Sequence, residues 1–279
     1  MANSLSSLNK LILSKKEEYM FKYLIWLLKL AFPIMVNYPW IYFMSKNPQK
    51  YPYEYRYNKA RLIVLKFLRI TKTDVYAINM PPLDDGQKVF FVGNHISFLD
   101  PIAIMALSER PLTFASKIEA KKFPIIGRVL KIMDAVFLER GNLKKEILVM
   151  QTIKKSMLED KTNWGLFPEG TRNKVYDRPM LDFKPGSFKL PVTTNTPIQP
   201  VAIWGTQMVL TTKLNWRRFN IYVSYLPLVK PSDFAGNTIK IAEHTQQLIQ
   251  TEVNKLREEY PQRVAQFYKG EDFSKIFNG

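Results

Sequence analysis

The sequence predicts an α/β domain, a mixed central sheet flanked by helices, preceded by an apolar helical segment. Three observations predict it. From about residue 75 onward, short apolar runs alternate with longer runs of helical spacing. Three of the short runs end in turn residues beside titratable ones, at Gly93-Asn94-His95, Glu139-Arg140-Gly141 and Pro168-Glu169-Gly170. Before residue 58 the pattern changes to an aromatic-rich apolar stretch followed by a proline- and tyrosine-rich one.

In chain order, residues 1–19 are polar and charged, with Lys10, Lys15, Lys16, Glu17 and Glu18. No small-residue cleavage site follows the next apolar run, so a secretory signal is not expected. From Met20 to Met44 the chain is strongly apolar and aromatic, but Lys22, Lys29, Pro33, Asn37 and Pro39 interrupt it. A spanning helix wants roughly 20 uninterrupted apolar residues. The stretch therefore predicts a short, shallow or re-entrant pair of helices lying in a membrane interface. Trp and Tyr would sit at headgroup level there, with lysines snorkelling. A helix packed on the soluble domain is the alternative. Residues 45–57 carry two prolines and four tyrosines at alternate positions, which predicts an extended linker.

Asn58 to Ile70 has helical spacing with a basic face. Strands are expected at 75–79, 88–93, 112–115, 135–139, 163–167, 198–204 and 219–225. Helices are expected at 99–108, 117–132, 142–159, 185–193 and 237–258. The clearest is 142–159, where Leu143, Ile147, Met150, Ile153 and Met157 share one face. The expected division is a membrane-associating segment and linker at 1–57, a domain at 58–262 and a C-terminal extension at 263–279.

Composition narrows the chemistry. The chain has 279 residues, 46% of them hydrophobic, enough for a sizeable core. It has no cysteine, which excludes a thiol nucleophile, disulfides and thiolate metal sites. Its two histidines are far apart in sequence, so no metal site is expected. The net charge is +17, and residues 1–72, with 13 Lys/Arg and 3 Asp/Glu, carry +10 of it. Such a balance favours anionic partners: anionic lipid, phosphorylated substrates, acidic proteins or nucleic acid.

The dinucleotide G-x-G-x-x-G, the Walker G-K-[ST] and the G-x-S-x-G elbow are all missing, so an ordinary α/β serine hydrolase is not expected. Four stretches remain. In the first, the strand-type run ending at Gly93 leads into Asn94 and His95, with Asp100 five residues beyond the histidine. A neutral imidazole accepts a proton near neutral pH, and a carboxylate on its other nitrogen fixes the tautomer. His95 and Asp100 are therefore the candidate base and its orienting partner. On its own the spacing more often marks a satisfied histidine near a helix cap. The second stretch is Phe167-Pro-Glu-Gly-Thr-Arg-Asn173, an arginine-bearing turn suited to a phosphate or oxyanion. The third is Val136-Phe-Leu-Glu-Arg-Gly141 and the fourth Pro197-Ile-Gln-Pro-Val-Ala-Ile203. Lys117 stands just past an expected strand. His244 falls on the polar side of an expected helix and reads as a surface residue.

Together, NHISFLD at 94–100, VFLERG at 136–141, FPEGTRN at 167–173 and PIQPVAI at 197–203 resemble the ordered blocks of the glycerolipid acyltransferase family. The form is nearest the bacterial 1-acylglycerol-3-phosphate acyltransferases. The likeness covers roughly residues 58–226. Glu139, where the family often has Asp, and Gln199, where an apolar residue is common, are departures.

The resemblance implies that His95, oriented by Asp100, deprotonates a glycerol hydroxyl of a lysophospholipid acceptor, which attacks an acyl thioester with no acyl-enzyme. It implies that Lys117, Arg140 and Arg172 meet the acceptor phosphate. Glu169, Gly170 and Thr171 would belong to the same substrate-binding turn, Glu169 organising it and backbone N–H groups near Gly170 holding the acceptor or an oxyanion. No cofactor is implied. The co-substrate would be acyl-CoA or acyl-acyl-carrier protein. The setting would be an anionic membrane surface at the cytoplasmic face of the cell membrane, with no nucleic acid. Another acceptor, such as glycerol-3-phosphate or a different lysophospholipid, and a non-enzymatic membrane-binding role are the alternatives.

Overall fold

The computed structural model describes residues 24–25, 28–29, 31–33, 35–81, 88–139, 141, 143–159, 162–175, 178–211 and 218–265. The main sheet has six strands in the order β1 (Thr73–Ile78), β8 (Phe219–Tyr225), β7 (Ile198–Trp204), β2 (Phe90–Gly93), β6 (Asn163–Leu166) and β3 (Leu112–Phe114). β7, β2, β6 and β3 are mutually parallel, β8 is antiparallel to β7, and β1 is parallel to β8, so the sheet is mixed. β7 and β8 are buried along their whole length. That is the expected state of strands covered on both faces, and it explains their nearly unbroken apolar runs. β4 (Ser116–Lys117) and β5 (Phe137–Leu138) form a separate two-stranded ribbon.

Helices cover the sheet. α1 (Tyr53–Ile70) buries Tyr57, Ala60, Val64 and Leu68, a stripe at helical spacing. α2 (Asp100–Leu107) is apolar nearly all round and mostly buried. α3 (Pro124–Ile132), α4 (Leu143–Leu158), α5 (Lys189–Thr194) and α6 (Met208–Thr211) follow in the connections. α7 (Thr238–Ala265) lays Ile241, Ile249, Val253, Leu256 and Tyr260 on the core.

Three expectations give way to the structure. Residues 45–57 are not an extended linker. Residues 35–46 are helical, Pro48–Lys50 is a 3-10 turn, and α1 begins at Tyr53 after Pro52. The alternating tyrosines suggest a period of two, but a helix brings Tyr53 and Tyr57 onto one face. Their hydroxyls donate to the carbonyls of Met133 (2.9 Å) and Ser108 (2.8 Å). Between them Arg56 makes a two-pronged ion pair with Asp134 at 2.8 Å. Likewise, 117–132 is not one helix. Pro124 removes an N–H donor, so a 3-10 turn at Ile118–Lys122 precedes α3. Gly127 lets that turn fold back, because a Cβ there would lie 2.9 Å from the Lys121 carbonyl. Finally, the strand expected at 135–139 belongs to the ribbon, not the main sheet.

Residues 1–23 and 266–279 lie outside the described residues, and with them most of the expected N-terminal segment and C-terminal extension. Among the described residues no helix is long and apolar enough to cross a membrane. Ile41 and Met44 pack with Ile132 of α3, while Phe32, Met35, Val36 and Phe43 are exposed.

Candidate active site

β2 is where the winding of the sheet changes side: β6 and β3 lie to one side, β7, β8 and β1 to the other. Crevices at such switch points, beyond the carboxyl ends of parallel strands, are the usual ligand sites of α/β folds. Val92 stands opposite Leu166, so β2 and β6 leave the sheet at the same edge. The turns that follow them, 94–100 and 167–173, meet there.

The first turn is fixed by buried polar groups. Asn94 is fully buried; its Nδ2 donates to the Ile203 carbonyl (2.9 Å) and its Oδ1 accepts the Ile203 N–H (2.8 Å), clamping the turn to β7. Asp100 opens α2 and is also fully buried. Its Oδ2 lies 2.8 Å from His95 Nδ1 and accepts the N–H groups of Ile96 and Ser97, each at 2.8 Å. Its Oδ1 accepts the Thr206 hydroxyl at 2.6 Å. Four donors compensate the burial of one carboxylate. A carboxylate selects the tautomer protonated at Nδ1, which leaves the Nε2 lone pair free. The His95 side chain is 21% exposed, so the ring is not sealed from solvent. The ring stacks on Phe167, centroids 4.4 Å apart at 18°, and Phe167 stacks on Phe114. Gly165 makes room for this column: a Cβ there would overlap the Phe114 ring.

The second turn braces the first. Gly170, at φ +71°, donates its N–H to the Phe167 carbonyl (3.0 Å). That N–H is spent inside the turn and does not face a ligand. Glu169 is buried; Oε1 accepts the backbone N–H of His95 (2.6 Å) and Oε2 that of Leu181 (3.0 Å). The Asn173 N–H donates to the His95 carbonyl (2.7 Å). Both backbone polar groups of His95 are thus held by the turn after β6. Burial pushes the Glu169 carboxyl up to about 7, against the two N–H groups that favour its ionised form. Glu169, expected at the substrate-binding turn, lies beneath it with both oxygens occupied.

Thr171 and Arg172 are exposed in this turn, and Lys117 is exposed at the end of β4. Arg140 lies outside the described residues. A cavity of about 410 Å³ opens beside the first turn. Phe98 of the His95–Asp100 loop, Pro101 of α2 and Phe114 of the aromatic column share its wall with Ile41, Phe67 and Met105. Apart from Asn37, Lys66 and Ser116, its lining is hydrophobic or proline. It therefore suits an alkyl chain.

Sequence reasoning missed three contributors. Thr206 lies two residues past the end of β7, as His95 lies two residues past the end of β2. The Phe167–Phe114 column was signalled only by Gly165, an isolated glycine inside an apolar strand run. Lys184 is brought by the fold to Gly170 across fourteen residues of chain, and no local spacing announces it.

A family model described as Acyltransferase matches residues 72–204. The chain is 31% identical over 191 residues to a probable 1-acyl-sn-glycerol-3-phosphate acyltransferase of Mycoplasma genitalium, covering 63% of this chain and 69% of that protein. It is 27% identical over 184 residues to the 1-acyl-sn-glycerol-3-phosphate acyltransferase of Haemophilus influenzae, covering 64% of this chain and 74% of that one. The crystal structure of the lysophosphatidic acid acyltransferase PlsC from Thermotoga maritima superposes with a TM-score of 0.67 at 20% identity, over 86% of this chain and 98% of that one, so the fold is shared. The matched region begins at the start of β1 and runs through β7, taking in both turns around His95; this chain belongs to the acyltransferase family.

Proposed function

We propose that the enzyme transfers an acyl chain from an acyl thioester to the free sn-2 hydroxyl of lysophosphatidic acid, giving phosphatidic acid. The observation that carries this reading is the pairing of His95 with Asp100 at 2.8 Å in a loop that also walls an apolar cavity. A base and a place for an alkyl chain are then side by side. His95 Nε2 takes the hydroxyl proton as the oxygen attacks the thioester carbonyl carbon. Asp100 stays ionised and stabilises the imidazolium. The tetrahedral intermediate collapses with cleavage of the C–S bond, and the departing thiolate takes the proton back from His95. No residue of the chain is acylated. The missing cysteine and serine elbow agree with direct transfer.

Lys117 and Arg172 receive the acceptor phosphate, with Arg140 joining them from outside the described residues. Each charge-assisted contact is worth about 1.5–3 kcal/mol, chiefly as orientation of the hydroxyl toward His95. Glu169 acts beneath the turn as a positioning residue for the His95 backbone. The donor is acyl-CoA or acyl-acyl-carrier protein. The exposed apolar residues at 32–43 and the basic first quarter suit docking on an anionic membrane surface, at the cytoplasmic face where such donors are made. Each basic residue at such a surface contributes about 1 kcal/mol.

A panel of acceptors with one labelled acyl donor on phospholipid vesicles tests the reading. Lysophosphatidic acid is expected to be the preferred acceptor, with labelled phosphatidic acid as product. Preference for glycerol-3-phosphate or another lysophospholipid would overturn the acceptor, and transfer to none of them would overturn the reaction.

A further inference from the structure

Beside the Phe167–Gly170 turn runs the segment 180–184, and its backbone is pinned along its length. Met180 N–H donates to Gln250 of α7 (2.6 Å), Leu181 N–H to Glu169 (3.0 Å), Phe183 N–H to Gln246 of α7 (2.8 Å) and Lys184 N–H to the Pro168 carbonyl (3.2 Å). Phe183 and Phe188 anchor it in the core. Lys184 is thus an exposed side chain on a fixed backbone. Its position is visible from Gly170. A Cβ at Gly170 would lie 3.0 Å from Lys184 Nζ, 3.3 Å from Cε and 3.6 Å from Cδ, so the alkyl stem lies along the turn and the ammonium rests over it. Gly170 is glycine for its φ of +71°; the exposed lysine end above it could move aside for a Cβ.

Among the described residues, no carboxylate neutralises this ammonium, and none neutralises Arg172 or Lys117. The nearest buried acid, Glu169, has both oxygens committed to backbone N–H groups. A cation held over the turn whose far side braces His95, with no counter-ion of its own, is poised for an anion brought by the substrate. We propose that Lys184 is a further acceptor-phosphate residue, closing on the phosphate over Gly170 while Arg172 meets it from the same turn. The inference rests on the reading of the acceptor as a lysophosphatidic acid. Lys184 acts as a point charge rather than a planar fork, so it fixes the phosphate's distance from His95 more than its rotation.

Initial-rate kinetics of Lys184→Ala and Lys184→Arg, with lysophosphatidic acid and the acyl donor varied in turn, test it. Lys184→Ala is expected to raise the KM for lysophosphatidic acid at least tenfold, with a smaller fall in kcat and the donor KM within about twofold of the unsubstituted enzyme. Lys184→Arg is expected to restore most of the loss. An unchanged acceptor KM in Lys184→Ala overturns the assignment, as does an equal shift in acceptor and donor KM, which marks a general disturbance of the fold. If the unsubstituted enzyme transfers nothing to lysophosphatidic acid, the acceptor reading itself has failed. If it does transfer and only the Lys184 variants behave as the unsubstituted enzyme does, this inference alone has failed.

Discussion

The carboxylates and the cations around His95 are treated in opposite ways. Asp100 and Glu169 are buried and commit their oxygens to donors of this same chain: four for Asp100 and two for Glu169. Lys117, Arg172 and Lys184 are exposed and have no carboxylate partner among the described residues. The difference separates what the fold prepares from what it leaves for the ligand. The imidazole is oriented before anything binds, in a network where losing one partner strands a buried polar group. The cations are exposed to solvent, and their loss leaves no buried group unsatisfied. Substitutions in the first group should therefore damage turnover and folding, and those in the second should change binding.

The largest effects belong to the prepared half. Removing the base in His95→Ala should lower kcat by at least about 100-fold. Asp100→Asn should lower it by about 10²- to 10⁴-fold, because an amide nitrogen beside Nδ1 favours the wrong tautomer. Asparagine must also place an NH2 where an oxygen now accepts either three donors or the Thr206 hydroxyl. The asparagine variant should accordingly unfold at lower denaturant concentration than His95→Ala, which still leaves the Asp100 carboxylate three of its four donors. Near-normal turnover in His95→Ala would remove the base from the mechanism. Equal stability losses in the two variants would erase the distinction between buried carboxylate and accessible imidazole.

How much of this was legible in the sequence follows the same division. The main-sheet strands could be placed because the parallel strands are buried on both faces and so read as continuous apolar runs, as in Ile198–Trp204. His95 and Asp100 could be paired because both sit in one short turn, within reach by local geometry alone. Residues 45–57 misled because proline and alternating tyrosine suggest extension, whereas Pro52 caps a helix and Tyr53 and Tyr57 are bonded to distant carbonyls. Thr206 and Lys184 were out of reach because their roles depend on which strand ends lie together. Thr206 meets Asp100 across 106 residues of chain. Glu169 was legible as part of a turn, but its bond to the His95 N–H needed the register of β2 against β6.

Glu169 offers the next effect in size and a test by pH. Its carboxyl is raised from 4.5 to about 7 because burial outweighs its two backbone donors. Between those values the folded chain binds more protons at this site than the unfolded chain does. The stability it contributes is therefore fully present below about 4.5 and is lost as pH rises through about 7. At one pKa unit per 1.36 kcal/mol, the loss amounts to up to about 3 kcal/mol. Glu169→Gln cannot ionise and should lack this slope. Urea unfolding of both proteins at pH 5 and pH 8 isolates it, since other titrating groups cancel in the difference. The unsubstituted protein should lose stability relative to Glu169→Gln between the two. Parallel behaviour would mean that the two N–H groups already compensate the buried charge, as four donors do for Asp100.

The smallest effect should come from the cations, and its form matters more than its size. Arg172 is exposed, so Arg172→Ala should leave the unfolding midpoint nearly unchanged and raise the KM for lysophosphatidic acid by about tenfold, the lower end of one charge-assisted contact of about 1.5–3 kcal/mol. Because a phosphate held loosely also lets the hydroxyl drift from Nε2, a modest fall in kcat should accompany it. An acceptor of the same chain length without the phosphate discriminates the cause. With monoacylglycerol, Arg172→Ala and the unsubstituted enzyme should be equally poor, because the arginine then has nothing to hold. If the substitution depressed activity on monoacylglycerol as far as on lysophosphatidic acid, Arg172 would belong with Asp100 and Glu169 as part of the prepared structure. The division between the two groups would then run through the second turn rather than between its buried and exposed sides.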